Sequence, residues 1–115
     1  MKSGTQFEQG DIVIVPFPFS DLSSIKQRPV LVLSNNSYNK MSRDIITCAV
    51  TSNLKDSEHS VLIGNKDLTE GGIPKKSRIK ADKIFTLEQS IIKKKVARVN
   101  KRVFEKVKGE LKKLI

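Results

Sequence analysis

The chain has 115 residues, enough for one hydrophobic core and too few for two. No apolar run approaches the ~20 residues of a membrane helix, and one cysteine with one histidine excludes an internal disulfide and a conventional zinc site. The net charge of +10 is uneven: residues 1–74 hold 7 Lys/Arg against 8 Asp/Glu, whereas residues 75–115 hold 15 against 4. A basic last third suits a nucleic acid, whose condensed counterions are released on binding. It equally suits a lysine-rich helix face in water.

Residues 1–9 are polar, expected to be flexible, and lack an apolar leader-like segment, so the expected location is cytoplasmic. A single domain is expected over residues 10–115. Gly10-Asp11 opens the β-branched run 12–15, a strand, and Pro16-Phe17-Pro18-Phe19 is expected to end its ladder. Residues 20–27 read as a loop. Residues 29–34 form a second strand whose four consecutive apolar positions imply burial on both faces. Residues 35–39 read as a turn. A third strand, 44–52, carries Cys48 as a small buried hydrophobe; a nucleophilic role would need a neighbouring base.

Residues 60–63 form a short strand, and 67–74 a loop broken by Gly71-Gly72. In 77–87, charged and apolar residues alternate, so Arg78, Lys80 and Asp82 share a face, the pattern of a charge-guarded edge strand. Ile79, Ala81 and Ile84 are expected inward. Residues 96–99 are a last strand. Asn100 then caps a helix whose Val103, Val107, Leu111 and Leu114 recur at helical spacing, with Gly109 weakening it by about 1 kcal/mol. The expected fold is mainly β with helices: a small SH3-like, strongly curved antiparallel barrel with a C-terminal helix.

Two polar features interrupt the apolar strands. Arg28 enters the second strand and Thr51-Ser52 leaves the third, so antiparallel pairing would make Arg28 and Thr51 neighbours. A guanidinium fork beside a hydroxyl offers several donors to a phosphate, with Lys80 and Asp82 nearby making a shallow basic groove. The structural alternative for Arg28 is an ion pair with Asp21 or Asp44. For Thr51 it is strand propensity.

The ordered combination GDIVIVPFPFSD, QRPVLVLS and AVTS (residues 10–21, 27–34 and 49–52) closely resembles the PemK/MazF toxin family. That resemblance implies a CcdB/MazF-type barrel, a homodimer that cuts single-stranded RNA or mRNA without metal or other cofactor and is neutralised by a MazE-like or other small antitoxin, with no membrane role. It assigns catalysis to Arg28 and Thr51, with Ser52 and His59 as further catalytic or phosphate-contacting candidates. RNA contacts are expected from Phe17, Lys26, Gln27, Arg78, Lys80, Asp82 and Lys83. Phe17 and Phe19 could stack on unpaired bases or fill the core beneath their loop. A non-catalytic CcdB-like inhibitor, or an inactive relative that binds nucleic acid or antitoxin, is the alternative function. The loop before Arg28 and the segment Ala81-Asp82-Lys83 depart from many family members, so no cleavage sequence carries over.

Overall fold

The computed structural model describes residues 7–18, 25–55 and 57–115. Among these, the chain runs β1 (Asp11–Pro18), β2 (Ile25–Val32), α1 (Asn36–Met41), β3 (Asp44–Thr51), β4 (Ser60–Ile63), β5 (Leu68–Gly71), β6 (Ser77–Glu88), β7 (Lys94–Val99) and α2 (Lys101–Lys112). The strands form one sheet in the order β4-β6-β3-β2-β1-β7-β5, antiparallel at every pairing.

The central strands are buried on both sides, as their unbroken apolar runs require. One face carries Ile12, Leu31, Cys48, Val50, Val61 and Ile79, covered by Val103, Phe104 and Val107 of α2. The other carries Val13, Val15, Val30, Val32 and Ile45, with Phe7, Phe17, Leu87 and Ile92 against them. Phe17 on β1 meets Phe85 on β6 edge to face at 5.0 Å. Two strands separate β1 from β6, so this contact requires the strong curvature expected of a closing barrel.

Several boundaries differ from the sequence expectation. β1 continues through both prolines, pairing Pro16 with Gln27 and Pro18 with Ile25. The Ile14 carbonyl accepts from Lys93 on the β7 side. By strand alternation Pro16 and Pro18 turn their backbone nitrogens to that same side, where pairing with β7 has ended at Ile14. The missing donors therefore cost no ladder bond. Residues 25–27, expected in a loop, belong to β2 for the same reason: β1 is long enough to pair with them.

The expected turn at 35–39 is the start of α1. Asn35 caps it by accepting from the Tyr38 amide at 2.8 Å. Buried Asn39 bonds Ser34 through both its hydroxyl and its carbonyl. The loop expected at 67–74 contains β5, held against β7. Gly71 makes this possible: at φ +70° its backbone passes so close to β7 that a Cβ would lie 2.0 Å from the Val96 carbonyl oxygen. β6 is flanked by β3 and β4 and is not an edge, and Ile84, expected inward, is exposed. The terminal helix follows expectation at its start, Asn100 accepting from Val103 at 2.8 Å. Its buried stripe is Val103, Phe104 and Val107, while Leu114 is exposed.

Within the segment 1–9, residues 1–6 lie outside those described. Residues 7–9 are pinned: Glu8 donates its amide to Asp11, Gln9 donates to Asn36 and Leu33, and the Phe7 carbonyl accepts from Asn39. Buried Asp11 also receives the Arg98 guanidinium at 2.7 Å, which itself reaches Glu70 at 2.8 Å and Glu8 at 3.1 Å. This network ties β1, β5 and β7 together.

Candidate nucleic-acid interface

Strand register decides which side chains share a face. β2 pairs with β3 from Val32–Thr47 to Val30–Ala49; Arg28 and Thr51 each lie two residues beyond that last pair, at the same end of the two strands. On their other sides, Arg28 pairs with Val15 and Thr51 with Arg78. Lys80 pairs with Ala49, and Lys26 pairs with Phe17. By alternation, Lys26, Arg28, Thr51, Arg78 and Lys80 all belong to the face that carries Val13, Val15 and Val30. The result is one cationic end of a sheet face, continuous with an apolar floor that includes Phe17 and Phe85.

Local chemistry fixes two of these groups. Thr51 Oγ1 accepts the Asn53 amide at 3.1 Å, which orients the hydroxyl and leaves its proton to donate. Arg78 is braced against the turn after β3: its Nε donates to the Leu54 carbonyl at 3.1 Å and Nη1 to the Ser60 hydroxyl at 3.2 Å. Ser60 in turn donates to the Ser57 carbonyl at 2.7 Å. Sequence patterning placed Arg78 on this face, but its dependence on Leu54 and Ser60 is set by a turn between strands and has no periodic signature.

The other sequence candidates fall in three places. Gln27 pairs with Pro16 and by alternation belongs to the opposite face, although it is exposed. Ser52 is exposed just beyond β3. Asp82 and Lys83 lie in a three-residue irregularity of β6: Lys80 faces Ala49, Ile84 faces Cys48, and residues 81–83 have no partner on β3. Both side chains are exposed there, so Asp82 is displaced from the simple alternation with Arg78 and Lys80. Phe19 and Asp21 lie outside the described residues. Asp44 opens β3 while Thr51 ends it, about 23 Å apart at the rise of an extended strand. An Arg28–Asp44 ion pair is therefore excluded.

His59 is set apart from Arg28 and Thr51. Its backbone has φ +59°, its Nδ1 is buried with no hydrogen-bond partner among the described residues, and that atom lies 3.5 Å from Glu110 of α2. The imidazole thus belongs to the helix-covered side. Cys48 is fully buried, and burial, aided by the nearby Asp82 carboxylate, pushes its thiol up to about 12. That protonated thiol suits packing, not attack. Among the described residues, no group of three or more His, Cys, Asp or Glu side chains is placed to hold a metal ion. No helix among them is long and apolar enough to cross a membrane.

The family model for PemK-like, MazF-like toxins of type II toxin-antitoxin systems matches residues 8–115. The chain belongs to the PemK/MazF toxin family. No curated protein matches it at a significant level. Among solved structures, MazF from Deinococcus radiodurans (Form-I) is 26% identical, with 96% of each chain covered and a TM-score of 0.74. A chain of the MazE-MazF complex from the same organism (Form-III) is also 26% identical over 96% of each chain, at a TM-score of 0.75. An endoribonuclease in complex with its cognate antitoxin, from Mycobacterial species, superposes at a TM-score of 0.76. It is 20% identical, with 92% of this chain and 91% of that one covered, and shows likeness of fold. The curved antiparallel sheet with its C-terminal helix is thus the MazF-like fold.

Proposed function

We propose that this PemK/MazF toxin is a metal-independent endoribonuclease that cuts single-stranded RNA at the Arg28–Thr51 end of the sheet and is neutralised by a cognate antitoxin. The observation that supports the reading is that Arg28 and Thr51 lie at the same end of β2 and β3, each two residues beyond the pair Val30–Ala49, on a face shared with Arg78 and Lys80. The similarity to an antitoxin-bound endoribonuclease and to MazE-MazF supports it. On this reading the chain acts in the cytoplasm, as a homodimer.

In the reaction, the ribose 2′-oxygen bonds to the adjacent phosphorus and the bond to the 5′-oxygen breaks. The products are a 2′,3′-cyclic phosphate and a 5′-hydroxyl; the 2′-hydroxyl loses a proton and the 5′-oxygen gains one. Negative charge grows on the nonbridging oxygens, where the Arg28 guanidinium and the oriented Thr51 hydroxyl supply donors. Arg28 acts electrostatically, through the fixed donor fork of its guanidinium. Lys26, Arg78 and Lys80 hold the flanking phosphates, and Phe17 beside Phe85 gives the groove an aromatic floor for an unpaired base.

Purified protein incubated with mixed-sequence single-stranded RNA, followed by mapping of 5′-hydroxyl ends, tests this directly. Arg28→Ala is expected to lower the cleavage rate at least about 100-fold, the scale of losing one preorganised oxyanion donor, while EDTA leaves the wild type unaffected. Undiminished cleavage by the variant overturns the assignment of the site. Absence of cut ends from folded wild type favours the non-catalytic alternative.

A further inference from the structure

Arg78 reaches the Arg28 face from β6, and a long arginine side chain keeps one position there only if something offsets the rotamer entropy it loses. The turn between β3 and β4 supplies anchors. Nε donates to the Leu54 carbonyl at 3.1 Å and Nη1 to the Ser60 hydroxyl at 3.2 Å. Both acceptors are neutral, so they orient the guanidinium without cancelling its charge.

Each anchor is itself fixed. The Asn53 side-chain oxygen accepts the Lys55 amide at 3.0 Å, an Asx turn that holds Leu54 between its ends. The Asn53 amide is also the donor to Thr51, so one short turn serves both Thr51 and Arg78. Ser60 gives its hydroxyl proton to the Ser57 carbonyl at 2.7 Å. What the hydroxyl keeps is acceptor capacity, the kind a guanidinium can use, since that group donates and never accepts.

Strand alternation turns Ser60 toward Arg78. Val61 and Ile63 enter the helix-side core, and Ser60 and Leu62 pair with Lys80 and Arg78 on the opposite face. His59, one residue earlier, goes to the other side, with its Nδ1 3.5 Å from Glu110 and its carbonyl accepting the Ala81 amide at 2.9 Å. Its φ of +59° is the one left-handed non-glycine backbone among the described residues. Such a conformation is unfavourable and persists where its surroundings enforce it. Here it bends the chain so that consecutive residues reach α2 and Arg78.

We propose that Ser60 is a positioning residue for the nucleic acid: its hydroxyl, acting through Arg78, sets the guanidinium to receive a backbone phosphate on the Arg28 face. That Arg78 meets a phosphate of RNA rests on the function proposed above. Without the Ser60 hydroxyl, Arg78 samples more rotamers, and binding has to freeze it. Arg78 holds a flanking phosphate and not the reacting one, so the effect falls on affinity and leaves the chemical step alone.

Two measurements on the full-length chain read this out. Cleavage of mixed-sequence single-stranded RNA gives the apparent KM and kcat. Fluorescence anisotropy with mixed-sequence single-stranded DNA, which lacks the 2′-hydroxyl needed for cleavage, gives affinity apart from chemistry. Ser60→Ala is expected to raise both KM and the DNA Kd about fivefold, less than the full loss of a hydrogen bond to a charged group because Leu54 still holds Nε. Its kcat should stay at the wild-type value. Ser60→Thr, which keeps the hydroxyl, should restore affinity. In an Arg78→Ala background, Ser60→Ala should change neither constant, because the group it positions is gone. Unchanged affinity in Ser60→Ala, failure of Ser60→Thr to restore it, additive losses in the double variant, or a fall in kcat at unchanged KM each overturns the proposal. A wild type that binds DNA but leaves RNA intact rejects the nuclease reading, and the Ser60 assignment is then decided by the DNA affinities alone. A wild type that binds neither RNA nor DNA overturns both.

Discussion

Replacing Arg98 by methionine should destabilise the protein far more than losing a surface arginine. Its guanidinium lies 2.7 Å from Asp11, a carboxylate whose side chain is only 1% exposed, and also contacts Glu70 and Glu8. In Arg98→Met the Asp11 charge keeps the Glu8 amide at 2.9 Å and Lys95 at 3.4 Å, while three acidic residues lose their shared cation. Removing one partner of a buried pair costs about 3–5 kcal/mol. The remaining amide and lysine argue for the lower end, about 3 kcal/mol. At about 4 °C per kcal/mol for a domain of this size, the melting temperature should fall by about 12 °C. Urea unfolding followed by circular dichroism gives the free energy directly. The double variant Asp11→Asn/Arg98→Met should recover most of the loss, because no buried charge is left without its partner. A loss below about 1 kcal/mol in the single variant, or strict additivity in the double, would refute the reasoning and make the network an ordinary surface pair.

Two further outcomes follow from named contacts. Gly71→Ala should destabilise by more than about 2 kcal/mol, since φ +70° and the 2.0 Å approach to the Val96 carbonyl oxygen both oppose a Cβ; Gly109→Ala should stabilise by about 1 kcal/mol, and thermal melts of the two should move in opposite directions. The Lys95 hydrogen bond, assisted by the charges of Arg98 and Lys95, holds the Glu70 carboxyl below its ordinary 4.5. Its folded pKa is depressed, so its contribution is complete above about pH 4.5 and is lost as pH falls through the lowered value. Glu70→Gln should therefore flatten the acid side of a stability–pH curve measured between pH 6 and 2, and an unchanged slope would count against this role.

The strands centred on residues 12–15, 30–32 and 44–51 were legible because side chains buried on both faces leave unbroken apolar runs. Asn100 as a helix cap was legible because capping is a local hydrogen bond. The passage of β1 through two prolines was not: it depends on which neighbour ends first, a property of β7 and not of the prolines. α1 hid in a run of turn formers, since part of its support comes from distant Gln89, whose side-chain amide donates to the Asn39 and Ser42 carbonyls. β5 was masked by the glycine that its close approach to β7 requires.

By itself the sequence determined the family, the apolar strands and a basic last third, and it offered Arg28 and Thr51 as possible neighbours. Tertiary structure decided the pairing of β2 with β3 that brings those two residues to one end of the sheet, the side of the sheet to which His59 belongs, and the separation of Asp44 from the candidate site. It also divided the basic residues, bringing Arg78 and Lys80 to the Arg28 face and leaving Lys106 and Lys113 beside β4. The physical reason is that composition and periodicity record what each residue prefers locally. Which charges meet is fixed by strand order and register, and these exist only once the sheet has closed.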